Sequence, residues 1–263
     1  MHYLILSDMH GNIDALDAVL RRVRRKRFDA TLVLGDLVGY GAGANKVVEK
    51  IRQDLPGEVW RIRGNHDKVV AGIESGENFN HAALAAARWT AEHLSPTNLR
   101  FVRDLPAGPI DLPEGPTICH GSPLDEDQYV FSIFEAWEIF THYPMGLTFF
   151  GHTHVPCVFV EQTREPAPQA AREGQRAGKE VHVALLPGPG GSLRLEEGKR
   201  YLINPGSVGQ PRDRDPRASY MTYDSSAKVV RWYRLSYPVE KAQERIRKAG
   251  LPSILAERLA LGA

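Results

Sequence analysis

Five short apolar runs, each stopping at a cluster of Asp, Asn or His, constrain this 263-residue chain more than any other feature. Tyr3 to Ser7 leads into Asp8-Met9-His10, Thr31 to Leu34 into Gly35-Asp36, and Val59 to Arg63 into Gly64-Asn65-His66-Asp67. Pro116 to Ile118 leads into Cys119-His120-Gly121, and Leu147 to Phe150 into Gly151-His152-Thr153-His154. A buried strand of an α/β sheet reads as such a run, and ligands gather where the carboxyl ends of neighbouring strands open into loops. Several of these ends can therefore meet in one crevice. The donors they would bring are carboxylate and amide oxygens mixed with imidazole nitrogens, which suit Mn, Fe, Zn, Co or Ni rather than a thiolate zinc knot. Cys119 does not alter this, because neighbouring strand residues face opposite ways, and a His120 turned into the crevice turns Cys119 out of it.

Helical signals alternate with the strands through the first half. Ile13, Leu16, Val19, Leu20 and Val23 recur at helical spacing, and the basic run Arg21 to Arg27 closes that segment as a solvated helix end, complementing the helix dipole. Asn45 starts a second helix, Asn80 to His93 forms a third, and Ser95-Pro96 reads as an N-cap with proline at the first helical position of a fourth. Ser132 to Tyr143 reads as a further helix whose aromatics belong to the core. The second half turns β-rich, with strands expected at Val181 to Leu186, Ser192 to Leu195, Tyr201 to Asn204, Ser219 to Tyr223 and Val229 to Leu235. Gln162 to Lys179 lacks an apolar period and reads as an exposed excursion, and Pro238 onward as a terminal helix interrupted near Gly250-Leu251-Pro252. No internal repeat or domain boundary stands out.

Charge and cysteine content narrow the setting. A net charge of +1 argues against an obligate nucleic-acid partner. Asp8 interrupts the only apolar stretch near the N-terminus, so neither a signal peptide nor a membrane span is expected. Two cysteines, Cys119 and Cys157, form no disulfide framework and read as reduced thiols, which places the chain in the cytoplasm.

The ordered series Asp8-x-His10, Gly35-Asp36, Gly64-Asn65-His66-Asp67, His120 and Gly151-His152-x-His154 resembles the calcineurin-like metallophosphoesterase superfamily over most of the chain. Gly39-Tyr40-Gly41 and Asn204-Pro205-Gly206-Ser207 look most like its small prokaryotic phosphodiesterase branch. The resemblance implies one domain over residues 1–263, a four-layer αββα sandwich of two mixed sheets flanked by helices, with an excursion at about 162–200 and a C-terminal helix at about 238–262. It implies two divalent metal ions, Mn foremost, with Fe, Zn, Co, Ni or Mg as alternatives. Asp8, His10, Asp36 and His154 would hold the first ion, and Asp36, Asn65, His120 and His152 the second, with Asp36 bridging. His66 would be the catalytic residue that is not a ligand, donating a proton to the leaving alkoxide or stabilising the transferred oxygens. Two such cations offset by two carboxylates and a bridging hydroxide leave one net positive charge, enough to draw in a phosphate ester and stabilise in-line attack at phosphorus.

Substrate class is less constrained. Protein phosphatases of this superfamily continue the second motif with an acidic residue that orients the catalytic histidine, where this chain has Gly39 followed by Tyr40. That favours a phosphodiesterase acting on small or nucleotide esters. An acidic residue introduced at Gly39 would be expected to make His66 more cationic. A phosphomonoesterase, either a serine/threonine phosphoprotein phosphatase or a dinucleoside polyphosphate hydrolase, stays open, as does a non-catalytic scaffold. Arg212 is a candidate phosphate clamp, Asp125-Glu126-Asp127 reads as a solvated loop, and Asp67 either orients His66 or caps the following helix.

Overall fold

The structure, a computed structural model, describes residues 1–164 and 177–263. The five motif-bearing runs form β1 (His2–Leu6), β2 (Ala30–Val33), β3 (Glu58–Arg61), β5 (Thr117–Ile118) and β6 (Leu147–Phe149), with a two-residue β4 (Ile110–Asp111) beside β5. The later strands are β7 (Cys157–Arg164), β8 (Gly178–Leu185), β9 (Gly190–Arg194), β10 (Arg200–Asn204), β11 (Ala218–Asp224) and β12 (Val229–Leu235). They make two six-stranded mixed sheets, in the orders β3-β2-β1-β11-β12-β9 and β4-β5-β6-β10-β7-β8. In the first, β1, β2 and β3 run parallel; in the second, β5, β6 and β10 do. Six parallel carboxyl ends therefore open along one rim, and five of them carry the motifs.

Strand alternation sorts side chains into three cores. On β1, Tyr3 and Ile5 face the space between the sheets and pack there with Phe149, Ile203 and Met221, while Leu4 and Leu6 face a helical layer containing Leu16, Val19 and Val47. That layer holds α1 (Ile13–Val23), α2 (Ala44–Gln53), α4 (His81–His93), α5 (Pro96–Arg103), α7 (Val239–Lys248) and α8 (Ser253–Leu261), with the short α3 (Asn65–Val70) near the rim. The outer face of the second sheet packs against α6 (Ile133–His142), where Cys119, Phe150 and Phe159 meet Ala136, Ile139 and Phe140. The result is the expected helix, sheet, sheet, helix order. The cap expected at Ser95 is present, its side chain accepting from the Asn98 backbone N–H, and Asn12 and Asn80 cap their helices likewise by accepting from Ala15 and Ala83.

Some expectations need correcting. The strands expected at Val181 to Leu186 and Ser192 to Leu195 are present as β8 and β9, which close one edge of each sheet. Of the excursion expected at about 162–200, Gln162 to Arg164 belongs to β7, β8 already starts at Gly178, and residues 165–176 lie outside the described residues. The sequence reading also passed over β7, β4 and α3. Only Phe140 of the α6 aromatics is core: Phe134 and Trp137 are 78% and 54% exposed, and Phe131 just before the helix is 62% exposed. A single helix laid on a sheet buries one narrow stripe, here Ala136, Ile139 and Phe140, and turns its other faces outward. Among the described residues, no helix is long and apolar enough to cross a membrane.

Candidate metal centre

Each cluster sits on the first residues beyond a strand, and the backbone there is unusual. Eight non-glycine residues with positive φ occur among the described residues, and Asp8, His10, Asp36, His152 and His154 are five of them. The left-handed region is costly for a side chain and is held only where the surroundings over-determine it. Its concentration in these five positions marks the rim as the place where the chain gives up local comfort for geometry.

The side chains converge in two groups. Asp8, His10, Asp36 and His154 each bring a donor atom within 4.8 Å of the others, and Asp36, His120 and His152 do the same, all buried, with Asp36 common to both. His10 Nε2 and His120 Nε2 each lie 3.4 Å from Asp36 Oδ2, and His154 Nε2 lies 3.3 Å from Asp8 Oδ1. Asn65 Oδ1 is 3.2 Å from His120 Nε2, which attaches Asn65 to the second group.

Backbone carbonyls decide how the imidazoles face. His10 Nδ1 donates to the Val38 carbonyl (3.1 Å), His120 Nδ1 to Leu34 (2.7 Å) and His154 Nδ1 to Gln210 (2.6 Å). A carbonyl can only accept, so each ring carries its proton on Nδ1 and turns Nε2 to the centre. His152 is reversed: its Nε2 donates to the Asp127 carbonyl (3.1 Å), which leaves Nδ1 as the inward nitrogen. Consequently His10 Nε2 and His154 Nε2, 3.1 Å apart, confront each other with lone pairs, and the buried Asp8 Oδ2 has no hydrogen-bond partner among the described residues. Cations among these atoms would resolve both conflicts, and an imidazole held through its other nitrogen is the usual outer support of a metal ligand. The donor set therefore fits divalent ions.

Charges in the protein without ions agree with this. Burial pushes the Asp36 carboxyl up, but His120, His66 and His10 outweigh it and hold it well below its ordinary range. Asp8 is likewise held low, against burial, by His154 and His120. Burial would depress His120, yet Asp36 and Asp8 raise it to about 10. Ions taking its place between the carboxylates would displace that proton.

His66 stands apart from the donor groups. It is buried, its backbone N–H donates to Asp36 Oδ1 (2.9 Å), and its ring lies between Tyr40 and Phe79, each at a centroid distance of 4.4 Å. Burial lowers its pKa to about 4, with Asp36 opposing and Arg212 reinforcing the shift. Its Nδ1 has no hydrogen-bond partner among the described residues. Gly39 explains this: with φ of +122°, a Cβ built there would lie 2.7 Å from His66 Nδ1 and 3.0 Å from His10 Nδ1. Gly39→Asp would displace His66 rather than polarise it, contrary to the sequence-based expectation. Asp67 does not touch the ring; it accepts from the backbone N–H groups of Gly64 (3.0 Å), Leu37 (3.0 Å) and Val38 (3.2 Å), capping α3 and pinning the Asp36 loop to it.

The surroundings divide by charge. Arg212 Nη2 donates to the Tyr40 hydroxyl (3.1 Å), and its charge adds to burial in depressing both His66 and His154. On the Asn65 and His152 side opens a cleft of about 490 Å³, with Phe79 and Tyr129 in its lining and Tyr129 stacked on His152 at 3.8 Å. The acidic triplet is not simply solvated: Glu126 pairs with Arg63 (3.0 Å) and Lys68 (3.2 Å), and Asp127 with Lys68 (2.6 Å).

Comparisons with known proteins agree with this geometry. The pattern of the calcineurin-like phosphoesterase superfamily domain matches residues 1–228. The chain belongs to that superfamily. This phosphoesterase is 36% identical over 262 residues to an uncharacterized protein of Methanocaldococcus jannaschii, covering 98% of this chain and 97% of the relative. The crystal structure of a metallophosphoesterase from Sphaerobacter thermophilus is 37% identical, with a TM-score of 0.79 over 100% of this chain and 99% of that one. A hypothetical protein from Pyrococcus horikoshii shares the fold at 17% identity, with a TM-score of 0.74 over 100% and 98% of the two chains. As a phosphoesterase of this kind it is a phosphoric ester hydrolase, and its family and its buried His/Asp groups indicate divalent metal ions.

Several residues that support the phosphoesterase site gave little sequence signal. Phe79 and Tyr129 belong to no motif, and Tyr40 was visible only as part of Gly39-Tyr40-Gly41. Asn204 was visible only through the resemblance, yet its Nδ2 donates to the Gly151 carbonyl (2.6 Å) and Thr153 Oγ1 (3.0 Å), and its Oδ1 accepts from Gly206 (2.8 Å). Ser207 Oγ donates to the Asp8 carbonyl (2.8 Å), so the turn after β10 braces the loops carrying Asp8, His152 and His154. Asn204→Ala removes three buried hydrogen bonds and leaves the Gly151 carbonyl with the Thr153 N–H (2.7 Å) as its remaining donor. It should cost about 2–3 kcal/mol of stability in urea unfolding. An unchanged unfolding midpoint would show that Asn204 does not brace these loops.

Proposed function

We propose that this protein is a dinuclear-metal phosphodiesterase acting on small or nucleotide esters. The observation that carries the diester reading is the environment of His66: buried, set between two aromatic rings, unpartnered at Nδ1, and barred by Gly39 from an acidic neighbour. A histidine in that setting rests neutral and adds no standing positive charge to the centre. A monoanionic diester then matches the site at least as well as a dianionic monoester.

Asp8, His10, Asp36 and His154 would hold one ion, and Asp36, Asn65, His120 and His152 the other. The two groups sharing Asp36 support this assignment. Such ions, Mn foremost among Mn, Fe, Zn, Co, Ni and Mg, supply a water of lowered pKa and neutralise charge on phosphorus. His66 rests neutral in the free protein; the negative charge of a bound ester beside it would favour its imidazolium form, which would deliver the proton to the leaving oxygen. Arg212, held beside the centre by Tyr40, would hold a non-bridging phosphate oxygen. The buried free thiols Cys119 and Cys157 support a cytoplasmic setting.

With Mn supplied, kcat/KM for bis-p-nitrophenyl phosphate should exceed that for p-nitrophenyl phosphate. A clear preference for the monoester would move the assignment to a phosphomonoesterase. No hydrolysis of either with any of the six metals would return the scaffold reading.

A further inference from the structure

The cleft beside Asn65 and His152 has a distinct chemical character. Glu74, Glu77 and Asp127 line it together with the rings of Phe79 and Tyr129, and no lysine or arginine is among its lining residues. The cation behind it is fully engaged: Lys68, 1% exposed, places Nζ 2.6 Å from Asp127, 2.7 Å from Glu74 and 3.2 Å from Glu126. An ammonium has three hydrogens, and here three carboxylates take them. Glu126 also takes Arg63, whereas Glu77 is exposed and makes no ion pair among the described residues. The wall is thus left with net negative charge. Phe79 packs on His66 and also lines the cleft, so its ring stands between the residue that serves the leaving oxygen and the cavity beyond.

Building on the phosphodiesterase reading, we infer that this cleft receives the ester group retained on phosphorus and selects it by charge. Uncharged or cationic groups with a planar or apolar surface enter against Phe79 and Tyr129, and anionic groups are rejected. The substrate class is therefore a diester with a single negative charge at the reacting phosphorus and none in the retained group. Esters whose retained part carries a carboxylate or further phosphates are excluded.

The test uses the full-length protein loaded with Mn and three diesters that share a p-nitrophenolate leaving group. Their retained groups are phenyl, 4-carboxyphenyl and choline. The phenyl and choline esters should each exceed the carboxyphenyl ester in kcat/KM by about 10-fold at low salt, and the gap should narrow as ionic strength rises. Glu77→Lys, an exposed substitution, should raise kcat/KM for the carboxyphenyl ester about 10-fold relative to the phenyl ester and lower that for the choline ester. Equal rates on the three esters, or a Glu77→Lys protein with an unchanged carboxyphenyl rate, would overturn the charge selection while leaving the diesterase intact. Failure to turn over any of the three, by protein that hydrolyses p-nitrophenyl phosphate, would overturn the diesterase reading itself and the inference with it.

Discussion

Asp36→Asn should abolish nearly all turnover and cost the protein at least one metal ion per chain. Asp36 is the one side chain common to both donor groups, it lies 3.4 Å from His10 and from His120, and it also accepts the His66 backbone N–H. Removing a single preorganised electrostatic group typically costs about 10²–10³ in kcat, and a carboxylate serving two ions should exceed that. The carboxamide keeps the shape but halves the oxygen donors and removes the charge that balances His120. Elemental analysis of purified protein, alongside kcat on bis-p-nitrophenyl phosphate, checks both halves. Full activity after chelation, or an Asp36→Asn protein with two ions and normal turnover, would remove the metal mechanism from consideration.

His66→Ala should behave in the opposite way, keeping its ions and losing chemistry. Its ring is not in either donor group, so the substitution leaves the proposed ligands in place. Loss of a positioned general acid costs about 10²–10⁴ in kcat. The deficit should be smallest for p-nitrophenolate, which departs without a proton, and largest for alkyl esters. A metal-replete mutant that loses the same factor on both would assign His66 to stabilising the phosphoryl oxygens instead. Tyr40 and Phe79 are about as close to the ring as packing permits, so the cavity left by alanine is apolar and the fold should tolerate it.

The candidate centre was legible in the sequence because its residues obey a local rule: each follows a strand, and strand ends are marked by a change from apolar to polar residues within a few positions. Asp8, Asp36, Asn65, His120, His152 and His154 could all be grouped that way, and the four-layer fold was implied by the family resemblance that these motifs carry. What escaped were features set by distant packing. Whether Asp67 served His66 or a backbone loop depended on where residues 37 and 38 pass, and the exposed aromatics of α6 depended on how much of a helix one sheet can cover. The second half of β7, Glu161 to Arg164, is polar and carried no strand signal. The structure pairs these residues with β8 along a sheet edge, where a strand need not be apolar. Gly39 had a visible identity but not a visible reason, which lies in the ring of His66 packed against it.

The left-handed backbone at Asp8, His10, Asp36, His152 and His154 carries one more consequence. Each such residue stands about 1–3 kcal/mol above a relaxed conformation. That tension is met by the two sheets and their helices when the chain folds, before any ion arrives. Ions would then find a cradle already shaped, with little left to rearrange, and uptake should resemble docking more than folding. The corollary runs through inheritance: lineages that abandon catalysis should drift toward glycine at these positions, trading reactivity for an easier backbone, so that relaxation of the rim becomes a physical trace of lost function.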